Sequence, residues 1–319
     1  MVVVTGANGF IGRAVCAHLR SIGWPVRGLV RTLDRGTAAR VEFLPVGDLT
    51  VIGGHALRNV LRGATAVVHL AAHVHQPANG DALAPMRRIN VEVTERIARA
   101  AAAAGATHCV FASSVKVNGE VTLPGRPFRE SDPPDPHDDY AATKWEAEQA
   151  LAAVAAETGL RVTALRLPLT YGPGVKGNLA TLARAIRAGV PLPLAGIHNR
   201  RSVLGVGNCS AAIETLLASE DPDGLGRMTP YLVADAEPVS TPELVRAMAA
   251  ALGVNARLFA VSPGLLRFAG ACIAQTPVVE RLVGSLEVDT TAFRTRFGWT
   301  PPVPFADGLA AALREASPL

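Results

Sequence analysis

A tyrosine and a lysine stand four residues apart in the stretch YAATK, where Tyr140 and Lys144 are separated by three residues. Side chains at this spacing lie on the same face of a helix. A free tyrosine has a pKa of about 10 and is a poor base at neutral pH, but a neighbouring ammonium favours its phenolate. The pair is therefore typical of a proton-transfer site, although the same spacing also arises by chance on helix surfaces.

Ser114 lies 26 residues before Tyr140, where an apolar run meets two serines in FASSVKVNGE. The run predicts a buried strand over residues 107–112, with Ser113 and Ser114 just beyond its carboxyl end. Ligands of parallel α/β sheets bind at this end of the strands. Ser114 is thus placed to hydrogen-bond the substrate hydroxyl that Tyr140 deprotonates. A serine, a tyrosine and a lysine in this order favour a catalytic set over coincidence.

These residues need a sheet and helices to bring them together, and the hydrophobic pattern predicts both. Apolar runs alternate with helical periodicity in the first two-thirds of the chain, which is typical of a parallel sheet covered by helices. Predicted strands cover residues 2–4, 26–30, 41–46, 66–70, 107–112 and 162–167, and predicted helices cover 10–22, 82–104 and 140–158. We expect an α/β fold, a Rossmann-type doubly wound parallel sheet, over residues 1–170.

The pattern changes beyond Tyr171, where turn-rich stretches such as YGPGVKGN and GVPLPLAG interrupt less regular periodic segments. We expect residues 171–319 to form mainly a smaller α/β C-terminal substrate lobe. Segments at about residues 203–235 are expected to return to the main sheet.

Three glycines, Gly6, Gly9 and Gly12, separate the first predicted strand from the first predicted helix. At such a junction the first glycine makes a tight turn, the second lets a pyrophosphate approach the backbone, and the third lets helix and strand pack closely. The helix N-terminus offers free N–H groups and the positive end of its dipole to phosphate. The spacing at this junction predicts a dinucleotide site rather than a structural turn.

Two charged positions bear on the choice of dinucleotide. An acidic residue about 20 residues after the glycine loop would bind the ribose 2′-hydroxyl of NAD, but Arg31 stands there, 19 residues after Gly12. Arginine suits the 2′-phosphate of NADP, so NADP(H) is favoured over NAD(H), with a solvated surface charge as the alternative. Asp48 and Leu49 follow the third predicted strand, where Asp48 either contacts the adenine or is an ordinary loop carboxylate.

Composition argues against several classes of protein. Hydrophobic residues make up 49% of the 319 residues, the formal net charge is only +4, and no basic run favours nucleic acid. The four cysteines form no CxxC pair, which is typical of reduced thiols in a cytoplasmic protein. No stretch approaches the about 20 apolar residues that span a bilayer, and the start of the chain has no signal-peptide pattern. His73 and His75 have a metal-like spacing, but no Cys or carboxylate cluster accompanies them, so no metal is expected.

The motifs together resemble the extended short-chain dehydrogenase/reductase superfamily, in its nucleotide-sugar epimerase/dehydratase branch. The resemblance covers essentially the whole chain and is carried by TGANGFIG, GDL, VVHLAA, Asn90 in INVEVTERI, FASSVKVNGE, YAATK and LRLPLTYGPG. It implies a cytoplasmic enzyme, expected to be a homodimer, that binds NADP or NAD and a UDP-sugar, with no nucleic-acid or membrane partner.

The resemblance also implies roles for individual residues of this chain, through their positions in the matching motifs. The resemblance implies that Ser114, Tyr140 and Lys144 are the catalytic residues. Together with the glycine loop, it predicts cofactor contacts at Gly6, Asn8, Gly9, Phe10, Ile11, Gly12, Arg31, Asp48, Leu49, His69, Leu70, Ala71, Ala72, Asn90, Tyr140, Lys144, Leu167 and Pro168. Predicted substrate contacts are Ser113, Ser114, Tyr140, Asn178, Arg201 and Arg281. For the last three of these, a capping or surface role is the alternative.

The residues after Ser114 bear on the reaction. The 4,6-dehydratases of this superfamily carry an Asp-Glu pair there, and Val115 and Lys116 cannot replace it, so a dehydratase is not expected. Resemblance in the loops favours a reductase that converts a UDP-4-keto-6-deoxy-N-acetylhexosamine to UDP-N-acetylquinovosamine, an O-antigen precursor. A UDP-hexose 4-epimerase, acting on UDP-glucose or UDP-GlcNAc, uses the same residues and is the alternative. A non-catalytic dinucleotide sensor on the same fold is the alternative of another class, and such proteins typically lack the Tyr/Lys pair.

Overall fold

The computed structural model describes residues 1–33, 41–74, 83–175, 177–220, 224–272 and 274–314. Its strands are β1 (Val2–Thr5), β2 (Val26–Val30), β3 (Glu42–Pro45), β4 (Ala66–His69), β5 (His108–Ser114), β6 (Arg161–Leu167), β7 (Leu169–Tyr171), β8 (Val203–Gly205) and β9 (Met228–Leu232). Within the described ranges, seven strands form one parallel sheet in the order β3-β2-β1-β4-β5-β6-β9. Strands run outward in both directions from β1, so the predicted doubly wound Rossmann-type fold is confirmed.

Helices cover both faces of this sheet and continue through the C-terminal part of the chain. They are α1 (Phe10–Ser21), α2 (Gly54–Val60), α3 (Leu83–Arg87), α4 (Val93–Ala103), α5 (Asp139–Thr158), α6 (Asn178–Arg187), α7 (Val206–Ala218), α8 (Thr241–Ala251), α9 (Pro263–Cys272), α10 (Thr276–Val283), α11 (Thr291–Phe297) and α12 (Phe305–Arg314). A π-helical turn, Arg88–Glu92, joins α3 to α4, and a 3₁₀ turn, Val115–Val117, follows β5. In the described part of the chain, no helix combines the length and apolarity needed to cross a bilayer.

Alternation along the strands sends side chains into two apolar layers. On one face, Val2 and Val4 of β1 pack with residues of α1 and α7, among them Leu19 and Leu216. On the other face, Val3 packs with residues of α2 and α4. Both layers are needed because each strand of a parallel sheet is buried on both sides, and β1 and β4 are buried along their whole length.

A separate apolar cluster fills the C-terminal part of the chain. It is built by residues of α6, α8, α10 and α12 and includes Leu179, Val245, Val283 and Leu309. Beside it, β7 and β8 form a short parallel pair. β7 begins two residues after β6 ends, so the chain passes from the main sheet to this cluster at Pro168.

The structure corrects three predicted boundaries. β5 continues through Ser114, so both serines belong to the strand, and Ser114 pairs with Leu167 of β6. The helix expected over residues 82–104 is divided by the π-helical turn, and residue 82 lies outside the described residues. α5 begins one residue earlier than expected because the Asp138 carboxylate caps it, accepting a hydrogen bond from Ala141 N at 2.7 Å.

The packing of the glycine loop generates a stability prediction. A Cβ at Gly12 would lie 2.2 Å from the carbonyl oxygen of Gly6, which is shorter than any tolerated contact. We expect Gly12→Ala to lower the free energy of unfolding by about 1–3 kcal/mol and to weaken dinucleotide binding, because the loop must open to admit the methyl group.

Chemical denaturation and dinucleotide titration measure both effects. The matched control is Gly54→Ala at the start of α2, where an added Cβ meets no atom within 4 Å. Equal stability of the two variants would contradict the packing role of Gly12.

Candidate active site

The glycine loop has the shape expected of a phosphate cradle. Gly6 has a φ of +63°, and a Cβ there would lie 2.9 Å from Ala71 N, so only glycine fits between the ends of β1 and β4. The N–H of Gly9 donates to the carbonyl oxygen of Gly6 at 2.9 Å and closes the loop. Gly9 then caps α1 without a side chain, which leaves the N–H groups of the first turn available to an anion. The residues present therefore fit a dinucleotide pyrophosphate.

A crevice of about 420 Å³ opens beside this loop, at the carboxyl ends of β1, β2, β3 and β4. It brings together nine of the predicted cofactor residues: Gly6, Asn8, Gly9, Arg31, Asp48, Leu49, Leu70, Ala71 and Ala72. Further lining residues were not predicted, among them Leu29, Thr32, Val46, Thr50, His73 and Ile89. Most of these lie at or just after strand ends, and that position is the signal that would have found them.

Two residues of opposite charge, Asp48 and Arg31, line this crevice. The Asp48 carboxylate accepts a hydrogen bond from Thr50 N at 2.8 Å, and this bond, with the charge of Arg31 nearby, holds the pKa of Asp48 below its usual range. Arg31 is exposed. Asp34 and Arg35, the charged neighbours of Arg31 in the sequence, lie outside the described residues.

A buried hydrogen-bonded chain holds the wall formed by the end of β4. The Thr94 hydroxyl donates to the carbonyl oxygen of Asn90 (2.7 Å), so it accepts from His69 Nε2 (2.9 Å). His69 Nδ1 then accepts from the Thr5 hydroxyl (2.7 Å), and Thr5 Oγ1 accepts the N–H groups of Leu70 and Ala71 (3.2 Å each). Burial, together with the Lys144 ammonium, lowers the pKa of His69 to about 3, so the imidazole is neutral.

Asn90, predicted as a cofactor contact, is fully buried in the π-helical turn. Its amide oxygen accepts from His73 N at 2.8 Å, and its amide nitrogen donates to His73 O at 3.1 Å and to Thr143 Oγ1 at 3.0 Å. The amide is therefore engaged by protein groups, and Asn90 joins the crevice loop at His73 to α5. π-helical turns of this kind are frequent at functional sites.

The three predicted catalytic residues lie at the ends of β5 and α5. Ser114 is the last residue of β5, and Tyr140 is the second residue of α5 and is half-buried. Lys144 is buried one turn later, donates to the carbonyl oxygen of Ala112 at 2.8 Å, and has its ammonium 5.7 Å from the centre of the Tyr140 ring. Lys144 Nζ also lies 4.5 Å from the centre of the Phe111 ring.

Burial dominates the electrostatics of this pair. It lowers the pKa of Lys144 to about 7, although the nearby Glu148 carboxylate raises it. Burial, and then the Asp138 carboxylate, raises the pKa of Tyr140 above its ordinary value. Desolvation and a like charge therefore oppose the phenolate in this structure, and the effect of the Lys144 ammonium on Tyr140 stays a prediction.

Ser113 does not face the site in the way expected of a substrate contact. It is buried, and its hydroxyl donates to Glu148 Oε1 at 2.5 Å. Arg166 of β6 forms two further hydrogen bonds with the same carboxylate, at 3.1 Å and 2.7 Å, and donates to Asn118 Oδ1 at 3.1 Å. Ser113 thus belongs to a buried ion-pair network behind Lys144.

The sequence carries a signal for this network that the motifs of the site do not include. Arg166 is a charged residue inside an otherwise apolar strand run, and Glu148 lies four residues after Lys144 on α5. A buried charge in such a position requires a partner of opposite sign.

The predicted substrate residues Asn178, Arg201 and Arg281 line a single pocket of about 320 Å³. Its other walls are largely apolar and include Leu169, Leu179, Val239, Leu244 and Leu282. Arg201 donates to the carbonyl oxygen of Gly284 at 2.9 Å. Burial, and then the charge of Arg281, lowers the pKa of Arg201, while Glu120 opposes them. A partly buried arginine whose charge is disfavoured by a second arginine is a site that an anion would stabilise.

The predicted nicotinamide contacts, Leu167 and Pro168, lie where the chain leaves β6 and enters the pocket wall. Leu167 is buried at the end of β6, directly opposite Ser114, and Pro168 follows it before Leu169 enters the pocket wall. Phe10, Ile11 and Gly12 form the first turn of α1, whose N-terminus adjoins the crevice at Gly9.

The two positions after Ser114 carry no catalytic carboxylate. Val115 is buried in an apolar cluster with Leu232 and Leu286. Lys116 forms ion pairs with Glu120 and Asp138. His73 lines the dinucleotide crevice, and His75 lies outside the described residues. Among the residues that the structure describes, no group of three or more His, Cys, Asp or Glu could hold a metal ion.

Comparison with known proteins identifies relatives along the whole chain. The NAD dependent epimerase/dehydratase family matches residues 2–228. The chain is 33% identical to UDP-glucose 4-epimerase of Vibrio cholerae over 312 residues, 96% of this chain and 92% of that protein. It is 28% identical to dTDP-glucose 4,6-dehydratase of Streptomyces griseus over 98% and 92% of the two chains. Among solved structures, MoeE5 in complex with UDP-glucuronic acid and NAD is 26% identical, with a TM-score of 0.76 over 99% and 98% of the chains.

These matches agree with the strand order, the glycine loop and the crevice beside it. The family match covers more than half of the chain, and the Vibrio cholerae relative aligns along nearly all of it. The chain therefore belongs to the NAD-dependent epimerase/dehydratase family, the nucleotide-sugar branch of the extended short-chain dehydrogenase/reductase enzymes.

Proposed function

We propose that this enzyme oxidises or reduces C4 of a UDP-linked sugar. The observation that carries the proposal is the pairing of Ser114 with Leu167, followed by Leu169. Ser114 ends β5, which lies between β4, whose end adjoins the crevice, and β6, from which the chain continues to Leu169 in the pocket of Arg201 and Arg281. A sugar whose diphosphate is bound by the two arginines would extend toward Ser114, and guanidinium groups suit diphosphate oxygens.

In this proposal each of the three catalytic residues has a separate part in the proton transfer. Tyr140 exchanges a proton with the C4 oxygen, and Ser114 hydrogen-bonds the same oxygen and orients it. Lys144, held by the carbonyl oxygen of Ala112, places a positive charge beside the Tyr140 ring and is positioned to bind the cofactor ribose. A nicotinamide cofactor held in the crevice would supply the hydride chemistry at C4.

Reduction of a 4-keto-6-deoxy-N-acetylhexosamine is the form of this reaction that we favour. Leu169 places an apolar, partly exposed side chain two residues beyond Leu167. A sugar methyl group suits such a wall, whereas a hydroxymethyl group would lose hydrogen bonds to water there. Lys116 in place of a carboxylate also argues against a dehydratase.

A UDP-hexose 4-epimerase is the second candidate, and the similarity to the Vibrio cholerae UDP-glucose 4-epimerase supports it. The two activities are separated by their need for added cofactor. We would incubate the purified enzyme with UDP-glucose, UDP-GlcNAc and a UDP-4-keto-6-deoxy-N-acetylhexosamine, each with and without NAD(P)H. Stoichiometric reduction of the keto sugar supports the reductase, and isomerised UDP-glucose or UDP-GlcNAc without added cofactor would replace it with the epimerase.

If Tyr140 transfers the proton, its loss should lower turnover and leave dinucleotide binding intact. We expect Tyr140→Phe to lower turnover by about 100-fold or more, because the proton has no other donor of matching geometry. Dinucleotide affinity, measured by fluorescence titration, should remain close to that of the wild type. The matched control is Tyr231→Phe on β9, outside both pockets, which should keep its turnover. Full turnover by the Tyr140 variant would exclude the proposed role.

We further propose that Arg31 directs the enzyme toward NADP(H). Its exposed guanidinium lines the crevice, where a ribose 2′-phosphate would find a cation. We expect Arg31→Ala to weaken NADP(H) by about tenfold or more and NAD(H) little, because only NADP(H) loses a charge-assisted hydrogen bond. Affinities for both nucleotides are compared with those of Arg20→Ala on the far end of α1. Equal losses for both nucleotides would show that Arg31 does not read the 2′-phosphate.

A further inference from the structure

Lys116 contacts both Ser114, at the end of β5, and Asp138, the residue that caps α5. Its backbone N–H donates to Ser114 Oγ at 3.2 Å. Its ammonium lies 2.5 Å from Glu120 Oε1 and forms a second ion pair with Asp138 Oδ2. The side chain is partly buried, with 27% of its surface exposed. One residue thus links the end of β5 to the residue that caps α5.

Asp138 connects Lys116 to the electrostatic surroundings of Tyr140. One carboxylate oxygen caps α5 by accepting from Ala141 N, and the other receives the Lys116 ammonium. Tyr140 follows two residues later, and the Asp138 charge raises its pKa, in addition to the effect of burial. A negative charge held in this place by the helix cap opposes formation of the phenolate.

The charged groups around Tyr140 come from three segments. The N-cap of α5 is Asp138, and α5 itself supplies Asp139 and Lys144, with the buried Glu148 one turn further on. The 3₁₀ turn supplies Lys116, and the residues after it supply Glu120, whose charge also raises the pKa of Arg201. Of these groups, Lys116 is the cation in direct contact with Asp138.

We propose that Lys116 is a positioning residue that joins Ser114 to the start of α5 and offsets the charge of Asp138, so that this carboxylate opposes the ionisation of Tyr140 less than it would without the lysine. The kinetic part of this inference rests on the proposed function. A surface ion pair of no functional role would contribute little to stability and would leave the ionisation of Tyr140 unchanged.

The test uses four variants of the full-length enzyme. Lys116→Met keeps the length of the side chain and removes its charge, and Lys116→Arg keeps the charge. The double variant Lys116→Met/Asp138→Asn also removes the opposing charge while preserving a good helix cap. The matched control is Lys116→Met/Glu120→Gln, which removes the other partner of Lys116 and leaves Asp138 charged.

The kinetic readout is the pH profile of kcat/KM for formation of NAD(P)H from the C4 alcohol, because the phenolate is the reactive form in this direction. We expect Lys116→Met to move the rise of the profile to higher pH by about one unit and to lower the rate at neutral pH about tenfold. Asp138→Asn should restore the profile, Glu120→Gln should not, and Lys116→Arg should resemble the wild type.

A second readout does not require turnover. Phenolate formation is followed by near-ultraviolet absorbance with saturating NAD, and the Tyr140→Phe spectrum in the same background is subtracted. If Lys116→Met moves this phenolate titration to higher pH and Asp138→Asn reverses the move, the role of Lys116 is supported. This holds even if the enzyme turns over no UDP-sugar, because a lack of turnover would count against the proposed function alone. Unchanged profiles and titrations in Lys116→Met, or rescue by Glu120→Gln as complete as by Asp138→Asn, would overturn the inference.

Discussion

The buried ion pair between Glu148 and Arg166 is the interaction on which the site depends. Its carboxylate has no exposed surface, and it joins α5 to β6 while also receiving the Ser113 hydroxyl of β5. Removing one partner of such a pair leaves a buried charge uncompensated, which is far more costly than losing a surface pair. Because Lys144 lies one turn from Glu148, this pair fixes both the position of the lysine and the charge around it.

The active site is therefore a balance between burial and charge. Burial opposes the charged forms of both Lys144 and Tyr140. Glu148 offsets this effect for the lysine, and Asp138 adds to it for the tyrosine. A positive charge brought next to Tyr140 has a larger effect here than it would in water, because the surroundings screen it less. The same burial that disfavours the charged forms of Tyr140 and Lys144 makes their ionisation sensitive to a charge that binds beside them.

Much of this could be predicted from the sequence, for physical reasons. Hydrophobic alternation and the glycine spacing determine the order of strands and helices, and chemistry requires Ser114, Tyr140 and Lys144 to meet. The role of Ser113 was harder to predict because strand register decides which of two adjacent serines faces the site. Asn90 and Arg166 act through partners far away in the chain, which local patterns do not reveal. The pKa of Tyr140 depends on how deeply the side chain is buried, and local sequence patterns do not determine that depth.

The hydrogen-bonded chain from Thr5 through His69 to Asn90 gives the enzyme a wall that is insensitive to acid. Each donor in the chain points the same way, and the low pKa of His69 keeps the imidazole neutral across the physiological range, so acid does not add a second donor to the ring. Lys144, by contrast, has a pKa of about 7 and changes its charge within that range. A shift of pH across neutrality thus changes the charge of Lys144 while the hydrogen-bonded wall of the crevice keeps its pattern.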